Sequence, residues 1–202
     1  MNYFVTAIGT DSGKTLISSI LVQALGADYW KPVQAGFPAD TQSVRQLTDS
    51  PDSRFYGERY VLQTPASPHA AARIDGVTIA LKDFHPPVSN RDLIIEGAGG
   101  LMVPLNDEEV IVDMVPVVNA EVILVCNLYL GSINHSLLSI ELLKQRGYPV
   151  KGIVFNGPTN EESERIILEK SGWPLLFKVA QHEAVTPVLV ERYAEEVRNS
   201  WS

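Results

Sequence analysis

Tyr3-Phe4-Val5-Thr6-Ala7-Ile8-Gly9-Thr10-Asp11-Ser12-Gly13-Lys14-Thr15-Leu16-Ile17 is the stretch that decides the fold. Tyr3–Ile8 is an apolar, partly β-branched run and reads as a strand. Lys14–Leu25 carries apolar residues at helical spacing and reads as a helix. A strand, a glycine-bearing turn, Lys-Thr and a helix in that order predict a phosphate-binding loop. The chemistry accounts for the residue types. Backbone N–H groups of the turn and of the helix start converge on phosphate oxygens, and Gly13 lets the chain approach them closely. Lys14 supplies positive charge at the β and γ phosphates, and the Thr15 hydroxyl is placed to reach Mg²⁺. The usual first glycine of such loops, five residues before Gly13, is Ile8 here, with glycine displaced to position 9. In the competing reading Gly13 only relieves strain at a turn; Gly-Lys-Thr at a helix start favours the nucleotide.

Further along the chain, short apolar runs keep alternating with helical segments. Leu93–Ile95 follows, then Glu121–Cys126 before Leu137–Gln145, and Val150–Phe155 before Glu161–Lys170. Such alternation predicts an α/β fold: one P-loop domain spanning residues 1–202, with a mainly parallel sheet flanked by helices on both faces. Unbroken runs such as Val122–Val125 suit strands buried on both faces. Residues 50–91 hold Pro51, Pro65, Pro68, Pro86 and Pro87 with little periodicity, and read as a long excursion over the sheet. The formal net charge of −8 gives no support for a nucleic-acid or anionic-membrane surface, so the partner is expected to be a small molecule. Cys126 is the only cysteine, which excludes an internal disulfide and fits a reducing compartment. No Lys/Arg-led apolar leader opens the chain, and a cytoplasmic protein is expected.

Ligands of open α/β sheets bind beyond the carboxyl ends of the strands, so the residues there carry the search for a site. Asp92-Leu93-Ile94-Ile95-Glu96 ends an apolar strand in a carboxylate, and Gly97-Ala98-Gly99-Gly100 follows as a glycine-rich turn. A hard divalent cation prefers oxygen ligands, which makes Glu96 the leading metal candidate. Asp40 offers a second carboxylate; it opens the helical segment Thr41–Leu47, where it also reads as an N-cap. Lys31 closes the strand Asp28-Tyr29-Trp30, and Pro32 bars it from helix, a placement suited to an anion. His69, His85, His135 and His182 show no metal-ligand spacing and read as surface or cap residues.

Taken together, Thr10–Thr15, Lys31-Pro32-Val33-Gln34-Ala35-Gly36, Ser67-Pro68-His69, Glu96-Gly97-Ala98-Gly99-Gly100 and Leu130-Gly131-Ser132-Ile133-Asn134-His135 resemble the dethiobiotin synthetase family, in the family's order. The resemblance implies an ATP- and Mg²⁺-dependent ligase of biotin synthesis. Its members join CO₂ to 7,8-diaminononanoate through a carbamate and a carbamic-phosphoric anhydride, and close a cyclic urea. It implies catalytic roles for Lys14 and Lys31, and Mg²⁺ ligation by Thr15, Asp40 and Glu96. Nucleotide contacts would come from Thr10, Asp11, Ser12, Gly13, Lys14, Thr15 and Leu16, and from Gly97, Ala98 and Gly99. The adenine edge would be met by Asn156 and Gly157 and bordered by Ala180, Gln181 and His182. Lys31, Ala35, Ser67 and Pro68 would contact the diamine. Its carboxylate would meet Ser132, Ile133 and Asn134 at a helix start of the neighbouring subunit, which implies a homodimer with composite active sites. Ala35 replaces a hydroxyl residue common in the family, and Asp11 a longer side chain.

Two rivals share the phosphate loop. ParA- and MinD-like nucleotide switches carry an extra lysine four residues before the last glycine of the loop, where this chain has Gly9. Their basic amphipathic C-terminal helix is also missing, since Val188–Arg198 mixes Glu191, Glu195 and Glu196 with Arg192 and Arg198. An amidoligase of the cobyrinate type needs a glutaminase domain for which 202 residues leave no room.

Overall fold

The computed structural model describes residues 1–201. Its strands are β1 (Asn2–Ala7), β2 (Asp28–Trp30), β3 (Val33–Ala35), β4 (Phe55–Tyr56), β5 (Tyr60–Leu62), β6 (Leu93–Gly100), β7 (Glu121–Asn127), β8 (Val150–Asn156) and β9 (Leu175–Val179). The helices are α1 (Lys14–Leu25), α2 (Asp40–Leu47), α3 (Pro68–Asp75), α4 (Met114–Val117), α5 (Ser132–Arg146), α6 (Glu161–Ser171) and α7 (Pro187–Ser200). Seven strands form one sheet in the order β4-β2-β6-β1-β7-β8-β9, with β3 and β5 as a separate pair, and every ladder between these strands is parallel.

The pleat sorts the apolar runs to two faces. Val5, Tyr29, Ile94, Ile123 and Val154 pack with Ile17, Ile20 and Leu21 of α1 and Val190 and Val197 of α7. Phe4, Ile95, Leu124 and Phe155 face the other way, against Ile140 and Leu143 of α5 and Ile167 of α6. Each such side chain, fully removed from water, contributes about 1.5–3 kcal/mol, so both helical layers are fixed mainly by burial. Helix α1 stops where Gly26 takes φ 56° and returns its N–H to the Val22 carbonyl. Strand β1 is central, which sets the phosphate loop at the middle of the sheet's carboxyl edge.

The parallel sheet covered on both faces and the span of α1 agree with the sequence reading. Several local expectations are corrected. Residues 50–91 contain β4, β5 and α3, and β4 extends the main sheet; two- to eight-residue elements are too short to show a period. The glycines after Glu96 do not form a turn at once, because β6 continues to Gly100, which pairs with Ala7. Lys31–Gly36, whose proline and glycine suggest a turn, likewise contains a strand, Val33–Ala35. Asp40 is not an N-cap: Ala39 holds that position with extended backbone, and Asp40 lies in the first turn of α2. Helix α5 begins at Ser132, not Leu137, because left-handed Gly131 turns the chain straight into it.

Candidate active site

The phosphate loop is shaped by two left-handed residues, Asp11 at φ 54° and Gly13 at φ 88°. Aspartate is among the few non-glycine residues that tolerate this region, which suits the short acid at position 11. Gly13 is the N-cap of α1 and makes no side-chain cap, leaving the first-turn N–H groups for an anion. A Cβ at Gly13 would lie 2.2 Å from Asn156 Nδ2, so only glycine fits. Asn156 Nδ2 donates to the Ser12 carbonyl at 2.9 Å, and the Ser12 hydroxyl donates to Asn127 Oδ1 at 2.8 Å. The ends of β7 and β8 thereby brace the loop. Ile8, in place of the first glycine, donates its N–H to the Val125 carbonyl at 3.1 Å and lengthens the strand pairing. Lys14 Nζ folds back to the Gly9 carbonyl at 3.2 Å. Burial, and then the charge of Lys31, lower its pKa to about 8; Glu96, Asp40 and Asp11 offset only part of this.

Beside the loop, four polar side chains converge, three from α1, α2 and β6 and one, Lys31, from the residue after β2. The Thr15 hydroxyl is 3.0 Å from Glu96 Oε1 and 3.3 Å from Asp40 Oδ1. Lys31 Nζ is 2.7 Å from Asp40 Oδ2 and 3.0 Å from Glu96 Oε1, and donates to the Gly97 carbonyl at 3.2 Å. Burial works to strip the Lys31 proton, but Glu96 and Asp40 outweigh it and hold the pKa above the usual lysine value. Lys31 is in direct contact with both carboxylates, and the charge of Lys14 also acts on them. Among the described residues no group of three or more His, Cys, Asp or Glu side chains is placed to hold a metal. Two carboxylates and a hydroxyl instead match Mg²⁺, which keeps water and phosphate oxygens in its shell. The Tyr29 phenol donates to Glu96 Oε2 at 3.0 Å, and burial followed by the Glu96 charge raises its pKa well, so it stays a donor. Gln34 accepts the Asp40 N–H at 3.0 Å and donates to the Gly36 carbonyl at 2.9 Å, setting the start of α2.

The loop, Lys31, Asp40 and Glu96 line one cavity of about 780 Å³, together with Ala35, Ser67 and Pro68. Its dimensions suit a nucleotide and a small second substrate. The chain matches the AAA domain family over residues 1–188. It is 55% identical over 201 residues to the ATP-dependent dethiobiotin synthetase BioD of Cytophaga hutchinsonii, with 98% of each chain covered. The chain belongs to the dethiobiotin synthetase family. The relative of the same description from Christiangramia forsetii is 46% identical over 199 residues, covering 98% of this chain and 96% of that one. Among solved structures, the septum site-determining protein MinD with Mg-ADP from Pyrococcus horikoshii aligns at TM-score 0.59 and 15% identity, covering 98% of this chain and 96% of that one. A ParA family ATPase from Chlorobium tepidum aligns at 0.56 and 14%, covering 98% and 90%. At such identities the likeness is one of fold. Dethiobiotin synthetases thus share a sheet with the nucleotide switches weighed above, while sequence separates the two.

The other positions implied by the dethiobiotin synthetase resemblance divide into three sets. Thr10, Asp11, Ser12, Ala98 and Gly99 line the same cavity. Gly97 offers its carbonyl to Lys31, and Leu16, in the first turn of α1, packs partly buried against the core. Asn156 stands at the loop, with Gly157 tied to the Val179 carbonyl at 2.9 Å. Ala180 and His182 are both held by the Tyr193 hydroxyl, at 3.0 and 2.9 Å, and Gln181 between them is exposed. Ser132, Ile133 and Asn134 form the first turn of α5. The Ser132 N–H already donates to the Tyr129 carbonyl at 3.0 Å and its side chain is buried, which leaves Ile133 and Asn134 as that turn's free ends. Asn127, Tyr29 and Gln34 went unassigned in the sequence. Asn127 had a signal, a polar residue ending an apolar strand run. Tyr29 and Gln34 had none: the role of Tyr29 depends on the neighbouring strand β6, and that of Gln34 on how the chain folds back from Gly36 to the start of α2. The Cys126 thiol, pushed up to about 12 by burial, plays no nucleophilic part at neutral pH.

Proposed function

We infer that this chain is the ATP-dependent dethiobiotin synthetase of biotin synthesis, working as one P-loop domain. The observation that carries the reading is 55% identity along 98% of the chain to a dethiobiotin synthetase, in a fold whose cavity joins the loop to Lys31 and the carboxylate pair. One amine of 7,8-diaminononanoate captures CO₂ as a carbamate and releases a proton. A carbamate oxygen then takes the γ-phosphoryl group of ATP as ADP departs. The second amine attacks the carbamoyl carbon, phosphate leaves, and the cyclic urea closes.

The residues meet an electrostatic demand, since carbamate and triphosphate oxygens repel. The N–H groups of Gly13 to Leu16 and the Lys14 ammonium hold the phosphates. Lys31, kept protonated by Asp40 and Glu96, presents a fixed cation beside the γ-phosphate where the carbamate brings its extra charge. Thr15, Asp40 and Glu96 would hold Mg²⁺, which when bound would supply charge withdrawal from phosphate oxygens. Asn156 combines bracing of the loop with contact to the adenine edge, bordered by Ala180–His182. Ser67, Pro68 and Ala35 border the diamine, and its carboxylate is met by Ile133 and Asn134 of a second copy in a homodimer. No helix among the described residues is long and apolar enough to cross a membrane. The test is incorporation of labelled bicarbonate into a cyclic urea with diamine, ATP and Mg²⁺. No incorporation by folded protein would refute the assignment.

A further inference from the structure

Tyr29 is fully buried, and a buried phenol must find a partner. Its partner is Glu96 Oε2, at 3.0 Å. The register explains why a tyrosine can make this contact from the strand next door. Tyr29 of β2 lies opposite Ile94 of β6, and both face the α1 side of the sheet. Glu96, two residues beyond Ile94, falls on the same face. Two residues of strand advance by about 6.6 Å, close to the reach of a phenol from its own Cα. Phenylalanine would fill the same space and stop short of the carboxylate. The ring is fixed on its other side by Phe55, at 6.1 Å between centroids.

The two oxygens of Glu96 are therefore divided. Oε2 is taken by Tyr29 inside the core, while Oε1 points to Thr15 and Lys31 at the cavity. A carboxylate tethered this way cannot rotate to offer both oxygens, and it is oriented before any ligand arrives. We propose that Tyr29 is a positioning residue for the Mg²⁺ site: its hydroxyl fixes Glu96 so that one defined oxygen faces the metal-nucleotide. This rests on the reading that Glu96 holds Mg²⁺. Outer partners that orient a ligating carboxylate typically change metal affinity by about 10- to 100-fold.

The test compares Tyr29→Phe, Glu96→Gln and the double variant with the native protein. Each is titrated calorimetrically with ADP over a series of Mg²⁺ concentrations and again with the metal chelated, after circular dichroism has checked the fold. Tyr29→Phe should raise the Mg²⁺ concentration for half-maximal tightening of ADP by about 10-fold or more, while metal-free ADP affinity stays within about twofold. In the Glu96→Gln background the same change should add nothing, since the carboxylate it orients is gone. Mg²⁺-dependent protection of the ADP complex against heat supplies a second readout that needs little protein and should fall in parallel. If Glu96→Gln raises the Mg²⁺ requirement and Tyr29→Phe does not, the positioning role is refuted and the metal site stands. Equal losses of ADP affinity with and without Mg²⁺ in Tyr29→Phe would refute it too, as the mark of a packing residue. An unchanged requirement in Glu96→Gln would overturn the metal assignment itself.

Discussion

Replacing Lys14 by methionine should stabilise the protein while destroying its nucleotide site. Native Lys14 has a pKa of about 8 against the usual 10.5, lowered first by burial and then by Lys31. At about 1.4 kcal/mol per pH unit, holding its charge at neutral pH withholds about 3 kcal/mol of stability. Methionine keeps an unbranched apolar stem but forfeits the 3.2 Å bond to the Gly9 carbonyl, worth about 1 kcal/mol. The net gain is about 2 kcal/mol, or a rise in Tm of about 4–8 °C for a chain of this size. The pH dependence has a defined sign. Below pH 8 the lysine is protonated in both states and the full cost is present. Between about 8 and 10.5 the unfolded chain still binds the proton that the native state has lost, so native stability climbs and the gap to Lys14→Met closes. Urea unfolding of both proteins without nucleotide, at pH 7 and pH 10, measures this, and ADP titration should show binding lost in the variant. A variant no more stable than the native protein at pH 7, or a gap that does not shrink by pH 10, would refute the reasoning.

Lys31 should behave in the opposite sense: Lys31→Gln strands Glu96 and Asp40 beside each other and should cost about 3–5 kcal/mol in urea unfolding without ligands. The same variant should bind ADP within a few-fold of normal yet lose about two to three orders of magnitude in cyclic-urea formation, followed with labelled bicarbonate. Gly13→Ala forces a Cβ onto Asn156 at a φ of 88°, so ADP affinity should fall by about 10-fold or more in calorimetry. If the active sites are shared, verified mixed dimers of Lys14→Ala with Asn134→Ala subunits should recover part of the lost turnover, and no recovery would place each site within one chain.

The phosphate loop was legible because its code is local. Strand, turn, Lys14 and helix follow one another within the chain, and α1 occupies the expected Lys14–Leu25. Glu96 and Lys31 were legible for a related reason, being polar residues that end apolar strand runs. The structure brings them within 3.0 Å across sixty-odd intervening residues. What the sequence hid is what depends on register between strands. Tyr29 reads as one more apolar strand residue until its place opposite Ile94 is known. Asp40 reads as a cap because a carboxylate before a helical period resembles one; its place in the first turn follows from Gln34, which accepts its N–H. The β3–β5 pair, three residues a side, is too short to show an alternation.

The all-parallel sheet also governs how the molecule comes into being. Strand β1, which carries the phosphate loop, is translated well before both of its neighbours, which follow only at residues 93–100 and 121–127. Pairings between segments so distant along the chain form slowly, because the loops must close before any contact rewards them. Until β7 has left the ribosome, at least one edge of β1 is bare, and Phe4 lacks the α5 and α6 layer that later covers it. The phosphate loop is thus written long before the strands that flank it, and is completed only when they arrive. A growing chain that stops short of β7 therefore holds the loop on a strand with an unpaired edge.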